Sequence, residues 1–171
     1  FAMLKTTAEH FFPPWSAPEW TGWSAPSEFA GAAQFARLDV DLPVFAGALP
    51  RDARLAVPGP AQFTVPLLLA LPEQASVLFE TKQSGRDVVI AALNNIILRL
   101  LSVAPPGRVQ FTILDAVELG QSFAGLMHLA DFEERLISSR IWTQPAQIEE
   151  QLARLNEHIE KVTQMYLRNE Y

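Results

Sequence analysis

Ten of the thirteen prolines lie before residue 73. Proline fixes φ, offers no N–H and is excluded from the interiors of helices and sheets. A chain punctuated in this way cannot carry one architecture from end to end. Its first part is restricted to extended arms, edge strands and turns, and only the remainder is free to form long helices. Three of the four tryptophans accompany the prolines. Residues 1–35 therefore read as a proline- and tryptophan-rich extended arm, with Pro13-Pro14-Trp15, Pro18, Trp20, Trp23 and Pro26. Such aromatics favour lying on their own domain, because each buries a large area. The alternative is a recognition segment that docks into a partner's groove.

Residues 36–74 read as a β segment. Apolar and polar residues alternate from Phe35 to Leu42, which indicates a strand. Phe63 to Leu71 is a second strand candidate, weakened by Pro66, and Pro58-Gly59-Pro60 between them is a turn. Residues 75–171 alternate strand and helix. Ser76–Phe79 is a short apolar strand. Asp87–Leu101 is a helix apolar almost all round, and so expected to be buried. Pro105-Pro106-Gly107 ends that unit. Val109–Leu114 is a strand rich in β-branched and aromatic residues. Leu119–His128 reads as loop and short helix, Asp131–Ser138 as a helical turn or two, and Ile141-Trp142 as a short extended piece.

The last helix carries the clearest pattern. Pro145 sits just inside its start, where proline is tolerated. Ile148, Leu152, Leu155, Ile159, Val162 and Tyr166 recur at spacings of four and three. The opposite face carries Glu149, Glu150, Arg154, Glu157, Lys161 and Arg168. Packing on the domain's own core is favoured over a coiled-coil dimer, because the repeat is short of four heptads. The βαβα order predicts an α/β fold with a parallel sheet and flanking helices.

Composition narrows the function classes. A net charge of −6 argues against a wholesale nucleic-acid coat but leaves room for a local basic patch. No cysteine is present, so disulfides and thiolate metal sites are excluded. His10, His128 and His158 form no spaced ligand set, and no metal site is expected. The longest apolar stretch, Val88–Leu101, is broken by Asn94, Asn95 and Arg99 and is too short to span a bilayer. A cytoplasmic protein without direct membrane contact is expected.

The loop from Glu80 to Asp87 stands where a phosphate-binding loop would stand, between a strand and a helix. That loop follows G-x-x-x-x-G-K-[ST], with glycines for inward N–H groups, lysine for the outer phosphates and a hydroxyl for magnesium. Here Gly85 matches, Glu80 replaces the first glycine, Arg86 the lysine and Asp87 the hydroxyl. Lys82 and Ser84 lie within the loop. Two carboxylates would repel a triphosphate, and Asp87 can itself supply the anion that a helix start favours. Read as a bare pattern, this is an ordinary loop with an acidic helix start.

The wider order of segments resembles the motor domain of the FtsK/SpoIIIE family of DNA-translocating ATPases, a RecA-like fold. The similarity covers about residues 75 to 171. It rests on the helix Val88–Leu101, the turn and strand Pro105–Asp115, Glu118-Leu119, Phe123, Met127-His128-Leu129 and the helix segment His158–Tyr166. It implies a RecA-like P-loop parallel sheet, with Gly85, Arg86, Asp87, Lys82 and Ser84 as a degenerate phosphate loop for ATP and magnesium. The family's Asp-Pro-Lys reads Asp115-Ala116-Val117, so its lysine is missing. The second acidic magnesium motif would lie beyond Tyr171, and the chain is expected to be part of a larger protein.

The resemblance implies a non-hydrolysing domain with a structural or regulatory role in a larger DNA-translocation or chromosome-segregation assembly. Its partners would be other subunits of that motor, a homo-oligomeric ring among the arrangements, with DNA reached through the full-length protein. An active ATP-dependent translocase, with Arg86 supplying the missing charge, is one alternative. A partner- or peptide-docking module, as in degenerate domains of secretion ATPases, is another. Asp115, at a strand end, is either catalytic or the cap of a turn. His128 reads as a buried histidine. Asp131, Glu133 and Glu134 read as a solvated face. Lys82, Arg86, Arg99 and Arg108 are too scattered to define a DNA groove.

Overall fold

The computed structural model describes residues 6, 9–47, 50, 52–55, 59–82, 84–131, 136–137 and 140–169, with the backbone alone at 53 and 166–169. The chain forms two compact units, Phe1–Val109 and Gln110–Tyr171.

The first unit is built on one hairpin-like pair of strands. Strand β1, Ala32–Asp41, runs antiparallel to β2, Gln62–Ala70, with Ala32 opposite Ala70 and Asp41 opposite Gln62. Both strands are edges of a two-stranded sheet, which is why Pro66 can sit inside β2 opposite Arg37. The connection between them carries a short helix α1, Leu42–Ala46, whose start is capped by Asp41 accepting from the Val44 N–H at 3.2 Å. A register shift between Gln34 and Ala36 leaves Phe35 as the extra residue of a bulge.

Helix α2, Arg86–Val103, packs on β1. Phe12 from the arm, Ala33 from β1 and Val103 from α2 form a buried cluster, with Ala32 and Leu100 against it. The arm thus lies on its own unit. It is held partly by its own turns: Trp15 and Trp20 stack at 4.8 Å, and the Trp20 indole N–H donates to the Pro14 carbonyl at 2.8 Å. Within α2 the buried residues are Ile96, Arg99 and Val103, while Val88 is 72% exposed. The helix expected to be buried all round is buried along one face.

The parallel RecA-like sheet is not what the chain forms. Among the described residues the only sheet is the antiparallel β1–β2 pair. Ser76–Phe79 has no ladder partner, and Leu78 is 90% exposed. Val109–Leu114 makes only single bridges, Phe111 to Ile137 and Leu114 to Trp142. The physical reason lies in the segments. A parallel strand must be apolar on both faces and paired along its length. Ser76–Phe79 is too short and too open for that, and Val109–Leu114 interposes Gln110 and Thr112.

In the second unit Ile113, Leu126, Ile137 and Trp142 are buried. Paired backbone bonds at 2.9 Å join Asp115 N–H to the Trp142 carbonyl and Trp142 N–H to the Ile113 carbonyl. Gln121–Asp131 winds as a 3-10 helix where loop and short helix were expected. The expected helical turns at Asp131–Ser138 fall largely outside the described residues, as does Pro58 of the Pro58-Gly59-Pro60 turn. Helix α3, Pro145–Asn169, has its proline at the first position as the sequence predicts. No described helix is long and apolar enough to cross a membrane.

Candidate functional site: an arginine without a counter-ion

The residues of the expected phosphate loop do not form an enclosed site. Lys82, Ser84, Gly85, Arg86 and Asp87 are all exposed. Gly85 precedes α2 with φ of 101°, a conformation that favours glycine, and Asp87 stands in the first helical turn. Among the described residues no strand leads into this loop, so its residues lack the sheet end that would aim them at a nucleotide. Gln83 lies outside the described residues.

Asp115 belongs to the second unit and is 8% exposed. Its carboxylate accepts from the backbone N–H groups of Val117 at 3.3 Å, Glu118 at 3.0 Å and Gly120 at 3.0 Å. It organises the turn that leads into Gln121–Asp131. Its lone pairs are occupied by backbone donors, which is the geometry of a cap. His128 is exposed and faces Asp131 at 3.6 Å. Among the described residues no three metal-ligating side chains converge.

The structure brings together a different set. Asn95 and Arg99 are four apart in α2 and so share one face. Asn95 is a bridge. Its Nδ2 donates to the Phe35 carbonyl at the β1 bulge at 3.3 Å, and its Oδ1 accepts from the Trp15 indole N–H at 2.8 Å. That pair of bonds fixes the arm over α2. The Trp15 ring then lies on the Arg99 guanidinium, 4.0 Å from its centroid, with Trp20 behind it at 5.9 Å. Phe35 is held in turn by an edge contact with Phe79 at 6.3 Å.

Arg99 is 8% exposed, and its Nη1 is buried with no hydrogen-bond partner. No carboxylate among the described residues pairs with it. Burial holds its pKa below the ordinary guanidinium value, and the positive charge of Arg37 acts in the same direction. Both arginines line a cleft of about 330 Å³, whose other walls include Phe12, Trp15, Phe35 and Asn95. An unpaired buried charge costs several kcal/mol by general expectation. The cation–π contact with Trp15 returns only ~0.5–2 kcal/mol. Among the described residues the arrangement is thus unsatisfied: two like charges beside an apolar wall, one of them carrying a buried nitrogen with no hydrogen-bond partner. The chemistry of the two guanidinium groups suits an oxyanion.

Sequence reasoning passed over this site because Arg99 looked like one cation among scattered ones. The signal was there in outline. Arg99 is the one charge within Val88–Leu101 and has no acid three or four residues away, so a partner would have to come from elsewhere in space. No protein-family model, curated protein or solved structure matches the chain.

Proposed function

We propose that this chain is a binding module that docks an acidic peptide segment of a partner protein in the cleft between the arm, the β1 bulge and α2. The observation that carries the reading is a buried Arg99 with no carboxylate partner among the described residues, on the wall of a cleft it shares with Arg37. Arg99 would form the charge-assisted bonds to a carboxylate, and Arg37 at the exposed rim would draw it in. Phe12, Trp15 and Phe35 supply apolar wall for the residues flanking that acid, which suits a peptide better than a free phosphate. The resemblance of its motif order to the FtsK/SpoIIIE family is the support for placing the partner in a larger motor assembly. No step of this reading uses ATP.

The test is a tryptophan-fluorescence titration of the whole chain with acetyl-Phe-Asp-Phe-amide, its Asn counterpart and inorganic phosphate. The Asp peptide is expected to bind, and Arg99→Met to weaken it about tenfold or more, the loss of a charged hydrogen bond of ~1.5–3 kcal/mol. Equal binding of the Asn peptide or of inorganic phosphate, or an unchanged affinity in Arg99→Met, would contradict the reading.

A further inference from the structure

Arg99 is covered by a segment that is barely committed to the fold. None of residues 13–30 is buried, and Trp15 is 46% exposed, whereas Arg99 beneath it is 8% exposed. The segment is pinned at its two ends. Phe12 before it sits in the buried cluster. After it, the Ala30 N–H donates to the Val103 carbonyl at 3.4 Å, and the Gly31 carbonyl accepts from the Leu71 N–H at 2.8 Å. Between these pins the chain is braced on itself. The Ala17 N–H donates to the Pro14 carbonyl at 2.9 Å, the Trp20 N–H to the Ala17 carbonyl at 3.3 Å, and Trp15 and Trp20 stack. A stretch with no buried side chain and exposed backbone bonds opens at low free energy.

Asn95 ties this strap to α2 through its Oδ1, which accepts the Trp15 indole N–H in a bond open to solvent. The other end of the amide sets its orientation. Because Nδ2 donates to the Phe35 carbonyl, the oxygen faces the strap; the flipped amide would set donor against donor and acceptor against acceptor. With so little of Arg99 exposed, neither the edge nor the face of its guanidinium is open to a carboxylate, and a ligand reaches it only after a neighbour moves. Phe12 and Gln34, which line the same cleft, are themselves buried. Trp15 is the neighbour with no buried residue behind it. A carboxylate pairs with a guanidinium in its plane and a ring lies over its face, so Trp15 can return once the acid is seated.

We infer that residues 13–30 form a strap that gates the approach of an acid to Arg99, and that Asn95 is the positioning residue that latches it. This rests on the reading of the cleft as an acid site. The latch has a readout that needs no ligand: the rate at which phenylglyoxal modifies Arg99 in the whole chain, followed by mass spectrometry, with exposed Arg37 as internal reference. Wild-type Arg99 is expected to react much more slowly than Arg37. Trp15→Phe keeps a ring and removes the N–H, and Asn95→Ala removes the acceptor. Each is expected to speed modification of Arg99 about threefold or more, in keeping with the loss of one hydrogen bond, and to leave Arg37 unchanged. The double variant should add nothing further, since both changes break the same bond.

Stopped-flow association of acetyl-Phe-Asp-Phe-amide is expected to quicken by a similar factor in both variants. A merely structural Asn95 would not speed binding. Arg99 as reactive as Arg37 in the wild type, unchanged in both variants, or rising only together with Arg37 would overturn the inference. So would a peptide that binds the wild type and associates no faster with the variants, which would leave the acid site standing. If Arg99 opens as expected and no chain binds the peptide, the strap is supported and the acid-site reading fails.

Discussion

At the residue scale, two buried charged groups of opposite sign meet opposite circumstances. Asp115 is surrounded by backbone donors, and Arg99 by rings. Asp115 and Gly120 act together: Gly120 holds φ of 88°, and a side chain there would meet Ile141 at 3.3 Å. Leu119, just before the Gly120 N–H, also lies in the left-handed region, at φ of 53°. Removing the carboxylate leaves the buried Gly120 N–H unmet, at ~1–3 kcal/mol for such a group. Asp115→Ala is therefore expected to lower the stability of the second unit by about that amount, read from a denaturant midpoint, with Asp115→Asn recovering part of it. Were Asp115 simply exposed to solvent in solution, Asp115→Ala would leave the midpoint unchanged.

At the scale of elements, local pattern and observed structure agree closely where the pattern is local. Alternation around Phe35–Leu42 becomes β1, and the four-three repeat after Pro145 becomes α3, because each signal is complete within the element that carries it. The parallel sheet was not legible. Whether Ser76–Phe79 and Val109–Leu114 pair is decided by contacts far along the chain, and the βαβα order of local patterns, like the resemblance, carries no information on that pairing. The Arg99 site was hidden for the same reason, since Trp15 and Asn95 are 80 residues apart in sequence. Helix α3 also gives a pH expectation. The Lys161 ammonium holds the Glu157 carboxyl below its ordinary range. A carboxylate whose pKa falls on folding stabilises above its unfolded value, and that contribution is lost as the pH drops through the folded value. Far-UV helicity is thus expected to decline on acidification below pH ~4.3, the ordinary glutamate value. Glu157→Gln should decline less over that window. Identical acid profiles for the two would count against this pair.

At the scale of the whole molecule, the two units divide the work differently from the sequence segments. The proline-rich arm, the β segment and α2 meet in the first unit, where the arm's tryptophans cover the arginine of a helix far downstream. The second unit carries the Asp115 turn and helix α3. Under the proposed function, Arg99 is retained for a ligand and at the expense of the fold. The most direct measurement is the unfolding free energy of the ligand-free chain, wild type against Arg99→Met. Methionine fills similar volume, packs favourably on aromatic rings and brings no charge. The account predicts a midpoint for Arg99→Met equal to or above that of the wild type, since the several kcal/mol tied up in an unpaired buried charge outweigh a cation–π contact of ~0.5–2 kcal/mol. A variant less stable by about 2 kcal/mol or more, the range of a true core loss, would make Arg99 a structural residue and contradict the claim.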